Sequence, residues 1–107
     1  MPEKSIFQKI MDREIPADFV YEDDDCIVIK DIRPKAPIHY LIIPRSPIRD
    51  MNELQEGDWG VFTHLHQVAV RMAHEAHCNH YRLQINTGEK AGQTVFHLHL
   101  HLIGWPE

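Results

Sequence analysis

Cysteine is scarce in this chain: Cys26 and Cys78 are the only two. In a reducing compartment both are expected as free thiols, with Cys26 inside a strand. Long hydrophobic runs are missing too, so no membrane-spanning segment is expected, and Met1-Pro2-Glu3-Lys4-Ser5 lacks the apolar stretch of a secretory signal. These absences point to the cytoplasm and away from a membrane. Positive charge is in deficit, 11 Lys and Arg against 16 Asp and Glu for a net charge of −5, which argues against a nucleic-acid backbone as partner. A small nucleotide, needing only a local pocket of donors, remains compatible. No repeat, low-complexity tract or linker divides the 107 residues, whose 43% hydrophobic and 25% charged content suits one domain, residues 1–107, with a modest core.

What is present is ordered. Ser5 can cap a short helix to about Arg13, in which Ile6, Phe7 and Ile10 share a stripe, and Pro16 closes it off. Phe19 to Glu22 and Cys26 to Asp31 read as a hairpin around Asp23-Asp24-Asp25, expected to be a solvated turn and not a metal site. His39 to Ile43 is a third strand between Pro37 and Pro44. A long helix is expected from about Asp58 to His77, with Val61, Leu65, Val68, Met72 and Ala76 at helical spacing. Its His64, His66, His74 and His77, with Cys78 and His80 after them, fit no closed four-ligand zinc spacing and read as solvated helix-face histidines.

Two more strands follow. Tyr81, Leu83 and Ile85 alternate with Arg82, Gln84 and Asn86, and His97, His99 and His101 alternate with Leu98, Leu100 and Leu102. Paired as an antiparallel hairpin, they send the apolar residues toward the long helix and a polar row beside the imidazoles. The residues thus read as an α+β chain of five strands with one long and one short helix. Histidine exchanges protons, attacks electrophiles and binds metals near neutral pH, so its face is the candidate site. Only His99 has a histidine on both sides, which makes it the candidate nucleophile. The connector, Thr87 to Thr94, carries Gly88 and Gly92, which permit tight turns and close approach of main-chain N–H groups to an anion; Gln93 and Thr94 add side-chain donors.

The segment Gly92-Gln93-Thr94-Val95-Phe96-His97-Leu98-His99-Leu100-His101-Leu102-Ile103 resembles the signature of the histidine triad (HIT) family. Upstream, Ser5-Ile6-Phe7, Arg13-Glu14-Ile15-Pro16 and Lys30-Asp31-Ile32-Arg33-Pro34-Lys35-Ala36-Pro37-Ile38-His39 are similar to its Hint branch, the purine nucleoside phosphoramidases. The resemblance spans nearly the whole chain. It implies a five-stranded antiparallel sheet in each subunit, a homodimer whose two sheets join into one of ten strands, and a groove for a purine nucleoside monophosphate on each subunit. It also implies an apolar base slot from Ile6, Phe7, Ile10, Ile29 and Ile32, with Asp31 accepting from the ribose hydroxyls. Asn86, Gln93, Thr94 and His101 match phosphate-contacting positions, and His39 and His97 match those that orient the central histidine.

The implied reaction is hydrolysis of the P–N bond of purine nucleoside 5'-phosphoramidates: neutral His99 attacks phosphorus, an amine departs, and water releases the nucleotide from the histidine. No cofactor is called for. Thr94 stands where the Hint branch usually carries Ser and keeps the hydroxyl; the chain stops at Glu107, where many of those relatives continue into a tail, and Trp105 either covers part of the groove or packs at the sheet edge. Three alternatives stay open. One is a dinucleoside polyphosphate hydrolase or nucleotidyl transferase of the same superfamily. Another is a zinc site from His97 and His99 with His39 as third ligand. The last is a non-catalytic nucleotide-binding or scaffold protein.

Overall fold

The computed structural model describes residues 4–106; the expectations about the start and end of the chain fall on residues 1–3 and 107, outside that range. Helix α1 covers Ile6–Met11. Ser5 starts it, because its Oγ accepts from the Gln8 amide at 3.1 Å while Gln8 Oε1 accepts from the Ser5 amide at 3.1 Å. Such a reciprocal cap contributes about 1 kcal/mol. The helix stops short of the expected Arg13, which adopts a positive φ of 64° and turns the chain toward the sheet.

Five strands form one antiparallel sheet: β1 (Phe19–Glu22), β2 (Cys26–Lys30), β3 (Ile38–Pro44), β4 (Tyr81–Gln84) and β5 (Leu100–Gly104), in the order β1-β2-β3-β5-β4. The β1–β2 hairpin and the β4–β5 pair stand where the sequence placed them. In the β4–β5 register Leu83 lies opposite Leu102 and Gln84 opposite His101, which matches the expected apolar and polar rows. The last strand begins later than expected. Its ladder with β3 starts at the Ile42–Leu100 pair, because the Leu98 amide is already engaged by the Ile48 carbonyl at 2.7 Å. His97 and His99 thus precede the strand, and only His101 lies on it.

Helix α2 (Trp59–Glu75) covers one face, burying Leu65, Val68, Ala69, Met72 and Ala73. Cys26, Val28, Ile42, Leu98, Leu100 and Leu102 rise from the sheet to meet it, with Tyr81, Leu83 and Ile85 at the margin. Each fully buried leucine there contributes on the order of 2 kcal/mol. The opposite face carries a second cluster in which Phe7 and Ile10 of α1 pack on Ile27, Ile29, Leu41 and Ile43. Period-two alternation explains both: adjacent residues of β2 and β3 enter opposite cores. Among the described residues no helix is long and apolar enough to cross a membrane.

The acidic turn is solvated at Asp24 and Asp25, which are exposed as expected, but not at Asp23. Asp23 Oδ1 accepts from the Asp25 and Cys26 amides and Oδ2 from the Tyr21 hydroxyl and His64 Nε2, each at 2.8 Å. Burial opposes ionisation of this carboxyl, but the donors, His64 foremost, outweigh it and hold the group well below the usual carboxylate range. His64 is therefore a tether between α2 and the hairpin. His66 keeps to its own helix, donating from Nδ1 to the Phe62 carbonyl at 2.9 Å.

Candidate active site

The histidines lie on the α1 side of the sheet. His99 Nδ1 is 2.7 Å from the carbonyl oxygen of His97. A carbonyl can only accept, so Nδ1 carries the proton and Nε2 keeps its lone pair. The Phe7 ring meets the imidazole edge-on, centroids 5.0 Å apart, and limits its rotation. A neutral, oriented imidazole with a free nitrogen is the arrangement a nucleophile needs.

His101 is held in the complementary state. The Lys35 amide donates to His39 Nδ1 at 3.1 Å, which places the His39 proton on Nε2. That proton goes to His101 Nδ1 at 3.0 Å, and Asp31 Oδ2 lies 3.4 Å from His39 Nε2. His101 is left with its proton on Nε2, a donor for a phosphoryl oxygen. The resemblance had assigned His39 to the central histidine; in the structure it orients His101.

His97 also acts differently from expectation. Its Nε2 donates to the Pro44 carbonyl at 2.8 Å, and its Nδ1 accepts from the Ser5 hydroxyl at 2.9 Å. With both nitrogens used, the side chain anchors the segment to β3 and to the start of α1, and it orients His99 through its backbone carbonyl. Sequence reasoning saw Ser5 only as a helix cap, since nothing local announces a partner 92 residues away. The nominated zinc set fails for the same reason. His97 has no free nitrogen, and the groups that converge on this face are Asp31, His39 and His101.

All four imidazoles are biased toward neutrality. Burial is the largest cause for His39, His97, His99 and His101, and the charges of His99 and His39 add to it at His101, whose pKa falls to about 4. Mutual repulsion among the imidazoles is secondary to burial. Because the folded values lie below the unfolded 6.5, the unfolded chain binds more protons between there and about pH 4. Stability therefore holds above pH 6.5 and declines on acidification through that window. A turnover that depends on neutral His99 should stay level through neutral pH and fall with an acid midpoint below 6.5. A pH–rate profile with its midpoint above that value would contradict the assignment of a buried neutral imidazole.

Beside the histidines lies a cavity of about 390 Å³ lined by Ile6, Phe7, Ile10, Ile29, Asp31, Ile32, Thr94, His99 and His101, among others. This set gathers most of the residues nominated for base, ribose and phosphate. Ile32 is 91% exposed at its mouth, an apolar side chain that packing in the monomer does not account for. Asp31 holds its place through Oδ1, which accepts from the Arg33 amide at 2.8 Å.

The loop residues divide. Thr94 lines the cavity, whereas Gln93 is buried: its Oε1 accepts from the Gly88 amide at 2.8 Å and its Nε2 donates to the Arg49 and Val95 carbonyls at 2.9 and 3.1 Å. Gln93 braces the loop and has no donor to spare for phosphate. Asn86 is engaged as well, donating to the Ala91 carbonyl at 2.7 Å, and a Cβ on Gly92 would come within 3.3 Å of its Nδ2. The Gly92 amide itself donates to the Glu89 carbonyl at 3.0 Å. Gly88 and Gly92 have φ of 90° and 95°, so both are required by the turn. Trp105 lies away from the cavity, under the Arg82 guanidinium at 5.4 Å.

An antiparallel five-stranded sheet presenting oriented, neutral histidines beside an apolar slot defines a site of the histidine triad kind. Comparison bears this out: the model of the family described as "Scavenger mRNA decapping enzyme C-term binding" matches residues 4–107. An uncharacterized HIT-like protein of Synechococcus elongatus is 46% identical over 99% of this chain and 98% of its own length. A HIT family hydrolase from Clostridium thermocellum superposes with a TM-score of 0.93 at 42% identity, covering 100% of this chain and 95% of that one. Another, from Legionella pneumophila, gives 0.92 at 37% identity over 97% and 95%. The chain belongs to the histidine triad family.

Proposed function

We propose that the protein is a nucleoside phosphoramidase of the Hint type, hydrolysing the P–N bond of purine nucleoside 5'-phosphoramidates. The observation that carries this reading is the forced tautomer of His99, whose Nδ1–H is committed to the His97 carbonyl beside the 390 Å³ slot. Ile6, Phe7, Ile10, Ile29 and Ile32 sandwich the base, and Asp31 accepts from the ribose. His99 Nε2 bonds to phosphorus as the P–N bond breaks, and the amine leaves with a proton from solvent. Water then attacks phosphorus, restoring His99 and releasing the nucleoside monophosphate. The His101 Nε2–H and the Thr94 hydroxyl supply donors to the phosphoryl oxygens. No step needs a metal.

Rates measured side by side on adenosine and guanosine phosphoramidates, diadenosine polyphosphates and nucleotide sugars test the subclass. A preference above about a hundredfold for phosphoramidates, some 2.7 kcal/mol, is expected, with no loss on chelator treatment. The reverse preference would assign the site to polyphosphate cleavage or nucleotidyl transfer.

On this reading the working unit is a homodimer. β4 closes the strand order at one end of the sheet, and Trp59 and Val70 stand 50% and 47% exposed on α2. Sedimentation equilibrium should return twice the chain mass of 12.6 kDa; a monomer at all concentrations would remove the ten-stranded assembly.

A further inference from the structure

On the α2 side of the sheet, remote from the triad in the fold, four side chains of differing donor chemistry meet at the β1–β2 turn. Asp23 comes from the turn, Cys26 from the first position of β2, His64 from α2 and Tyr21 from β1. Donor atoms of Asp23, Cys26 and His64 all lie within 4.8 Å of one another. The Tyr21 hydroxyl bonds the same Asp23 oxygen as His64, at 2.8 Å. None of these residues takes part in the reaction derived above.

We propose that Asp23, Cys26 and His64 form a binding site for a divalent transition metal of the zinc or cobalt type. The set offers one oxygen, one sulfur and one imidazole nitrogen, the mixed donors that borderline cations select. Ligand distances of about 2.0–2.3 Å set tetrahedral donors roughly 3.3–3.7 Å apart, so Asp23 Oδ2 and His64 Nε2, 2.8 Å apart without an ion, open slightly, and the sulfur shifts by no more than about an ångström. Charge also balances: with the thiol ionised, Asp23 and Cys26 bring two negative charges to a doubly positive ion, and His64 is neutral. Binding releases the Cys26 proton to solvent, while His64 moves its proton from Nε2 to Nδ1 and coordinates through Nε2. The Tyr21 hydroxyl or a water takes the fourth position.

The surroundings suit such a site. Cys26 is fully buried, and burial and the neighbouring Asp23 push its thiol up to about 12, so without a cation the sulfur stays protonated and unreactive. A cation reverses that balance, since it replaces the proton that the carboxylate stabilises. The Asp23 and His64 side chains are 23% and 32% exposed, which leaves the ion a route from solvent.

Titration of the full chain with cobalt(II) alone tests the assignment. A near-ultraviolet sulfur-to-cobalt charge-transfer band should saturate at one ion per chain, with one proton released in weak buffer. Asp31, His39 and His101 on the catalytic face contain no sulfur and cannot produce that band. Cys26→Ser should abolish it, and so should His64→Gln, a change at a partly exposed residue that leaves the buried thiol in place. Absence of the band in the unaltered protein would overturn the proposal, as would a band persisting in both variants, which would point to Cys78.

Discussion

Replacing His99 with alanine is expected to lower turnover by roughly 10⁴-fold or more while nucleotide binding persists. Removing the nucleophile removes the covalent route, yet His99 is one lining residue among many, and the slot keeps its walls from α1 and β2 and the Asp31 carboxylate. Calorimetry on the variant with a nucleoside monophosphate reads the binding, and a single-turnover assay reads the loss. His99→Asn should behave the same way while keeping a polar group near the His97 carbonyl. Substantial residual turnover in either variant would end the nucleophile assignment and favour direct attack by water. Stereochemistry separates those routes independently: two in-line displacements at a labelled thiophosphate retain configuration, whereas one inverts it. A protein that binds nucleotide but shows no turnover even before substitution would instead be the non-catalytic nucleotide binder.

Phe7→Ala is expected to damage fold and site together. Phe7 is 5% exposed, belongs to the α1 cluster, and meets both His97 and His99 edge-on at 6.0 and 5.0 Å. Emptying a buried aromatic site costs about 3–5 kcal/mol. That is a large part of the stability of a domain this size. The same ring lines the slot and restrains the His99 imidazole, so nucleotide affinity and turnover should fall as well. Phe7→Leu keeps most of the buried volume and should recover much of the stability while losing the ring contacts. Chemical denaturation beside nucleotide titration distinguishes the two effects. A Phe7→Ala protein with unchanged stability would show that α1 is not packed as described.

Much of this molecule was legible in one dimension because its signals are local. Period-two alternation around the leucines of β5 and in β4 located the α2 core, and both strands agree in the structure. The Ser5 cap, the two loop glycines and the helical stripe of α2 rest on interactions within a few residues of each other, which is why composition and spacing suffice to find them. The triad pattern ranked His99 above its neighbours, and the geometry around that residue fits the ranking.

The errors share a cause. Turn chemistry predicts a solvated Asp23, but His64 reaches it from a helix 41 positions later. Gln93 has the chemistry of a phosphate donor, yet its amide is spent on Arg49 and Val95 inside the loop. His97 and His39 both stand in the histidine cluster, but their contacts differ from those the resemblance implies. One acts through its carbonyl, and the other through His101, 62 residues away.

Residue order alone therefore determined the α+β architecture, the apolar face under α2 and the identity of the central imidazole, since strand and helix periodicity follow from backbone geometry. Folding decided the protonation state of each histidine and which polar groups remain available to a ligand. Those properties belong to hydrogen bonds and burial created only when distant segments meet, and no spacing along the chain encodes them.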